Sequence, residues 1–300
     1  MPIPDRIVLV DGYAQLYRAF HGIPGLAGPQ GQPTNALYGL ARLLLKLDEE
    51  LPHIFGTVVF DRGRPARRME LLPTYKATRP PMPDTLRAQL PSIREWLAAA
   101  GWPVVEDDGR EADDLIAAIA QERGTRETAI LSHDKDLAQL ATADGAVYLL
   151  KNCTQGGLEV MGYGAVVDKF GVPPNRLRDY LAMLGDSSDN IPGVPGVGAK
   201  TAAALLAQFG SAEHLLDHVE DVANPRIRES LRGSAEILRR NLQLVELDLR
   251  PPSAWTGLEQ IRRRAPDWAK LRELALAAGF KSLLATLDKH RLAEEAPMLF

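Results

Sequence analysis

The sequence predicts an α/β fold, a mainly parallel central sheet with helices on both faces, followed by a smaller helical part. Three observations carry this reading. Short apolar runs without alternation recur along the first half, as buried parallel strands require. Stripes of leucine at helical spacing fall between them, and from about Tyr163 the texture changes to helices and tight turns.

Each element follows in order. Ile7-Val8-Leu9-Val10 is the first strand, ending at Asp11. Leu37, Leu40, Leu44 and Leu47 place a helix over Asn35 to Glu50, and Thr57-Val58-Val59-Phe60 a second strand ending at Asp61. Leu86, Leu90, Ile93 and Leu97 form one stripe of a helix near Thr85 to Ala100. A short strand at Pro103-Val104-Val105, a helix after Glu111, a strand over Thr128 to Leu131, a short helix from Lys135 and a strand over Ala146 to Leu150 complete the alternation. A last helical run, Ala202 to Phe209, follows a glycine-rich turn.

The chain has 300 residues, 45% of them hydrophobic, enough for two domains or one with a large appendage. Its single cysteine, Cys153, excludes an internal disulfide and a cysteine-based zinc site; it reads as a small buried or half-buried residue in a reducing cytoplasm. Neither a secretory signal in Met1-Pro2-Ile3-Pro4-Asp5 nor a membrane-length apolar stretch is visible, so a soluble intracellular protein is expected.

Nine acids fall in five clusters: Asp11; Asp61; Glu111, Asp113 and Asp114; Asp134 and Asp136; Asp186 and Asp189. Ligand sites in open α/β sheets lie beyond the carboxyl ends of strands, so acids placed there converge on one crevice. Crowded carboxylates call for hard divalent cations, and a pair of these can clamp both oxygens of a phosphoryl transfer. Taken singly, each cluster has a plainer reading as a helix cap or an acidic first turn.

Net charge is 35 − 39 = −4, and setting the nine acids aside leaves +5. Between Arg62 and Arg94 eight cations face only Glu70 and Asp84, a local +6 suited to a polyanionic backbone, or to an ordinary solvated loop. Pro192-Gly193-Val194-Pro195-Gly196-Val197-Gly198-Ala199-Lys200-Thr201 lacks the spacing of a nucleotide-binding P-loop and matches the hairpin of helix–hairpin–helix modules, which grip DNA backbones without reading bases.

These motifs together resemble the 5′ nuclease domain of bacterial DNA polymerase I, within the flap endonuclease family. The resemblance runs over nearly the whole chain: Val10-Asp11-Gly12, Tyr17-Arg18-Ala19-Phe20-His21, Phe60-Asp61, Tyr75-Lys76-Ala77 with Arg79, Glu111-Ala112-Asp113-Asp114, Asp134-Lys135-Asp136 and Gly185-Asp186-Ser187-Ser188-Asp189-Asn190. Pro266-Asp267-Trp268 and Gly279-Phe280-Lys281-Ser282-Leu283-Leu284 extend it to the tail.

The resemblance implies a PIN-like nuclease domain over residues 1–165 with an arch at about 62–94, a helix–hairpin–helix subdomain over 166–250 and an extension over 251–300. It implies that Asp11, Asp61, Glu111, Asp113 and Asp114 hold one metal ion, and Asp134, Asp136, Asp186 and Asp189 a second. Magnesium is the expected metal, manganese its substitute, and the hairpin a candidate potassium site. Lys76 and Arg79 would act at the scissile phosphate, with Asp11, Asp61 and Asp113. Tyr17 would stack on a nucleotide, its alternative being a core aromatic beside Phe20. Arg18, Arg67, Tyr75, Lys135, Gly193, Gly196, Gly198, Lys200 and Thr201 complete the implied DNA contacts.

The implied activity is 5′-3′ exonuclease and flap endonuclease cleavage in replication and repair, leaving 5′-phosphate and 3′-hydroxyl ends. A monomer at the bacterial nucleoid is implied, its polymerase separate or fused. His133 departs from the small residue the family has before Asp134, and an outward imidazole is expected. A DNA-binding relative without catalysis would have lost carboxylates, and a phosphatase or RNase would not need the hairpin.

Overall fold

The computed structural model describes residues 4–152 and 157–295; Cys153 lies outside them. The chain forms two compact units that cut across the expected linear division. One comprises the chain up to Phe60, Pro81–Val105 and the chain from Ala254 on; the other comprises Asp61–Pro80 and Glu106–Ser253.

In the first unit, strands β1 (Arg6–Asp11), β2 (Phe55–Val59) and β3 (Val104–Val105) pair in parallel, Ile7 opposite Phe55 and Val58 opposite Val104. β1 and β2 are buried almost throughout, which is why they read as unbroken apolar runs. Asp11 closes β1 and caps the helix Gly12–Gly22, accepting from the Ala14 N–H at 3.2 Å. Any Cβ at Gly12 would stand 2.4 Å from the Phe60 ring.

The helix Asn35–Glu50 forms as expected, but the stripe from Thr85 to Ala100 is two helices, Asp84–Arg87 and Leu90–Ala99. Pro91 begins the second, where a missing N–H costs nothing. Gln89 sits at the break, its Oε1 accepting from the Ala36 and Leu37 N–H groups that open the neighbouring helix. Trp96, Trp102, Leu40, Leu44 and Leu47 fill the core. The chain from Ala254 returns to this unit through Arg263, which donates to the Gly101 and Ala100 carbonyls at 3.0 and 2.8 Å and lies 3.9 Å over Trp102.

In the second unit, β4 (Glu127–Leu131) and β5 (Val147–Asn152) pair in parallel. β6 (Leu158–Met161), which the sequence pattern does not announce, pairs antiparallel with β5. It is four residues long with exposed Glu159 and Val160, too short and too wet to leave a periodic trace. The helix after Glu111 is Ala112–Gln121, and the short helix from Lys135 is a tight 3-10 turn, Asp136–Leu140. Beyond β6 the unit is helical, and no helix among the described residues is long and apolar enough to cross a membrane.

Candidate active site

Eight of the nine acids belong to the second unit, and Asp11 to the first. Asp61 accepts from the Ala112 N–H at 2.6 Å, which fixes it against the start of the helix carrying Asp113 and Asp114. Burial pushes the Asp61 carboxyl up, against the pull of that N–H and of Lys76, and nearby Glu111 adds to the rise.

The expected arch is not a free loop. Residues Ala66–Leu71 form a helix that buries Arg68 in the acid cluster. Arg68 donates to both Asp114 oxygens at 2.6 and 2.9 Å, to Glu111, and to the Leu244 carbonyl at 2.9 Å. Asp114 also accepts from the Asp248 N–H at 2.9 Å, so its oxygens are committed to the chain. Arg67, expected at DNA, instead reaches Glu246 at 3.0 Å and the Gln243 carbonyl at 3.1 Å. Both arginines reach the Glu246 carbonyl, Arg67 at 3.2 Å and Arg68 at 3.4 Å, but only Arg68 goes on to Asp114 and Glu111.

The turn after this helix links the two groups of acids. Tyr75 is buried, and its hydroxyl donates to Asp189 at 3.1 Å and to Glu111 at 3.3 Å; burial and then Glu111 drive its pKa far up. Lys76 reaches Glu111, and Arg79 reaches Asp189. Burial works against the Lys76 ammonium, but Glu111 and Asp189 outweigh it and keep it charged. The non-glycine residues with positive φ among the described ones are Lys76 (54°) and Asn190 (58°). They face each other: the Lys76 N–H donates to the Asp189 carbonyl at 3.0 Å, and the Asn190 amide to the Thr74 carbonyl at 2.9 Å. Strain of this kind concentrates where surrounding structure enforces it, commonly at functional sites.

The second group gathers around Asp136. Its carboxyl is pushed up to about 7 by burial, then by Asp134, with Asp189 and Asp186 adding and Lys135 opposing. Lys135 pairs with Asp186 at 2.7 Å; with Ser188 it outweighs burial and holds that carboxyl low. Asp134 accepts from the Asp136 N–H at 2.8 Å. His133 is exposed, in agreement with the outward expectation.

Among the described residues, no three metal-binding side chains stand close enough to hold an ion between them here, and chain cations lie against the acids instead. Nevertheless, Asp136 Oδ1 is buried without a hydrogen-bond partner, amid three further carboxylates. A hard cation would relieve that oxygen, and the neighbouring carboxylates are the donors it prefers.

The hairpin lies in the same unit. Asn241 donates to the Ala182 and Pro192 carbonyls at 3.0 and 2.7 Å, fixing its approach. Gly193 is obligatory because a Cβ there would stand 2.1 Å from the Leu184 carbonyl oxygen, and Gly196 because its φ is 78°. Gly198 opens the helix Ala199–Phe209 with clear space around it, and Lys200 is exposed beside Thr201. Tyr17 and Arg18 are half-buried on Gly12–Gly22 in the first unit, Tyr17 stacked 6.3 Å from His21.

Nothing in the sequence marks Arg68 out: it reads as one charge of a basic stretch, because no pattern announces the short helix that buries it.

The fold and the acid-rich site define a nuclease of the hydrolase class. The chain belongs to the 5′-3′ exonuclease family: residues 6–171 match its N-terminal resolvase-like domain and residues 172–269 its C-terminal SAM fold. It is 37% identical to a 5′-3′ exonuclease of Aquifex aeolicus, covering 94% of this chain and 95% of that one. It is 38% identical to the thermostable DNA polymerase I of Thermus thermophilus over 97% of its own length, and spans 34% of that protein. The same fold occurs in the bacteriophage T5 D15 flap endonuclease solved with DNA and metal ions, at 22% identity, TM-score 0.66 and coverage of 96% and 98%. It also occurs in the catalytic core of Rad2 with DNA substrate, at 18% identity, TM-score 0.63 and coverage of 95% and 93%.

Proposed function

We propose that the chain is a structure-specific 5′ nuclease that hydrolyses DNA phosphodiesters at 5′ ends and flaps with two divalent ions, leaving 5′-phosphate and 3′-hydroxyl ends, in replication and repair. One observation carries this reading: within one unit, Tyr75 joins two groups of acids, with Lys76 and Arg79 lying across them.

Asp61, Glu111 and Asp113, with Asp11, would hold one ion, and Asp134, Asp136, Asp186 and Asp189 the other. Asp114, whose oxygens Arg68 takes, would support the first group from behind. What the ions contribute when bound is acidity that yields hydroxide near neutral pH and positive charge beside the leaving oxygen. Magnesium suits these oxygen donors, manganese would substitute, and the Gly193-to-Gly198 turn is the candidate potassium site.

Lys76 and Arg79 would turn from Glu111 and Asp189 to the scissile phosphate, neutralising charge on its non-bridging oxygens. The hairpin, with Lys200 and Thr201, would hold duplex backbone without reading sequence. Tyr17 and Arg18 would receive the terminal nucleotide. We further propose a cytoplasmic monomer whose polymerase is fused, as in the polymerase relatives, or separate.

Incubation with a labelled 5′-flap duplex tests the reading. Cleavage is expected with Mg²⁺, none with EDTA, and at least a thousandfold loss in Asp113→Ala. Cleavage that survives both chelation and substitution overturns it, and activity confined to RNA or small phosphate esters moves the chain to another hydrolase class.

A further inference from the structure

A cavity that the nuclease reading leaves unused stands between the second group of carboxylates and the hairpin. A cavity of about 520 Å³ in the second unit is bordered by Thr74, Asp186, Asn190, Gly193 and Arg240. Arg240 lies on the helix Ala235–Val245, and its neighbour Asn241 locks that helix to the hairpin through the Ala182 and Pro192 carbonyls. Other arginines nearby are paired: Arg239 with Glu236 and Arg178 with Glu246. On Arg240, by contrast, both Nε and Nη2 are buried and find no hydrogen-bond partner.

Arg240 is half-buried, yet two of its three nitrogens are shut off from water with no acceptor, a costly state that a ligand drawing the side chain into the cavity would relieve. Its donors form a planar fork that matches two oxygens of a phosphate. The carboxylate on the cavity wall, Asp186, is already engaged by Lys135 at 2.7 Å and by the Ser188 hydroxyl at 2.6 Å, so it does not satisfy the arginine.

We propose that Arg240 is a DNA-backbone site, taking one phosphodiester of the bound strand between the metal-binding acids and the hairpin. The proposal rests on the nuclease reading and adds to it a contact that the hairpin motif does not contain. It is a positioning residue: it fixes where the strand lies and leaves the chemistry to others.

Arg240→Met and Arg240→Lys test it, with binding to a labelled 5′-flap duplex measured by anisotropy in Ca²⁺ across a salt series and thermal melting measured without DNA. Arg240→Met is expected to raise Kd about tenfold, the loss of one charge-assisted contact. It should also make the slope of log K against log salt shallower by about one. Its melting temperature should hold or rise, because an apolar group replaces two buried donors that have no acceptor. Arg240→Lys should keep the slope and lose a few-fold in affinity, since an ammonium has charge without the fork.

Unchanged Kd and slope in Arg240→Met overturn the site while leaving the nuclease reading intact. A fall in melting temperature in both variants, with Arg240→Lys binding like the parent, also overturns it, by assigning Arg240 to the fold. Failure of the parent chain to bind the flap duplex at all overturns the nuclease reading and this site together.

Discussion

Each compact unit is pinned by one arginine, Arg68 buried and Arg263 half-buried, and the two differ in what they hold. Arg263 ties the returning tail to Asp48, to His53 at 3.1 Å and to the Gly101 and Ala100 carbonyls, with Trp102 beneath it. Its acceptors are mostly neutral, and a single carboxylate balances its charge. Arg68 meets two carboxylates, Glu111 and Asp114, with further acids beyond Tyr75. The first arrangement is a structural clamp with nothing left over. The second is a counter-ion set among acids of which Asp136 keeps an oxygen without a partner, and that imbalance is what the proposed metal binding rests on.

The largest expected effect distinguishes the two directly. Arg68→Met leaves two buried carboxylates without their partner and should cost about 3–5 kcal/mol in EDTA. Saturating Mg²⁺ should return part of that loss, while flap cleavage falls at least a hundredfold because Glu111 and Asp114 lose the guanidinium that ties them together. A loss that magnesium does not touch would make Arg68 a second Arg263.

Arg263→Met should cost about 3 kcal/mol, at the low end for a buried pair since most of its partners are uncharged. The cost should be the same with and without Mg²⁺, and the turnover of the folded fraction should stay within about twofold. Urea melts with parallel activity assays separate the two arginines, and a selective loss of turnover in Arg263→Met would break the contrast.

A pH effect of similar size belongs to His53 in the first unit. His53 is buried with Nδ1–H donating to the Leu51 carbonyl at 2.7 Å and Nε2 accepting from Arg263 at 3.1 Å, so the ring is neutral. Burial, against the Leu51 carbonyl and with help from Arg263, lowers its pKa from 6.5 to about 4. The unfolded chain therefore binds the extra proton first. The associated stability is complete above pH 6.5 and drains away as pH falls towards 4, about 3 kcal/mol in all. Subtracting the pH-stability profile of His53→Gln from that of the parent should isolate this slope, and a flat difference would mean the ring accepts a proton in place.

How far the sequence revealed these arrangements varied with the kind of signal. Strands β1, β2 and β4 were legible because burial on both faces leaves unbroken apolar runs, and the helix Asn35–Glu50 because a leucine stripe spans about three turns. The break at Gln89 was hidden: the apolar stripe continues across it, and the reason for it is a hydrogen bond to a helix about fifty residues away. At the site, residue identities were legible and partnerships were not. Asp114 reads like its neighbours Glu111 and Asp113 until Arg68 is seen taking both its oxygens, and Arg68 and Arg67 are indistinguishable in a basic run until the fold gives Asp114 to the one and the Glu246 carboxylate to the other. Arg240 gave no signal at all, since an unmet donor is a property of packing.

The smallest expected effect concerns the underpaired end of the second unit. Asp136 keeps its proton up to about pH 7 because burial and Asp134 disfavour its charge, and Oδ1 has no donor to relieve it. Its folded pKa lies above the ordinary 3.8, so without metal the folded state loses stability as pH rises between those values. A divalent ion must displace that proton before it can use the carboxylate, which links metal affinity to pH with the opposite sign. Apparent Mg²⁺ affinity should therefore rise about tenfold between pH 6 and 8, levelling above 7, as one proton leaves per ion bound. Isothermal titration in buffers of different ionisation enthalpy counts that proton. In Asp136→Asn the pH dependence should flatten and the affinity fall; a parent chain that binds magnesium equally at pH 6 and 8 would show that Asp136 is already charged and that the second group is as fully paired as Arg263.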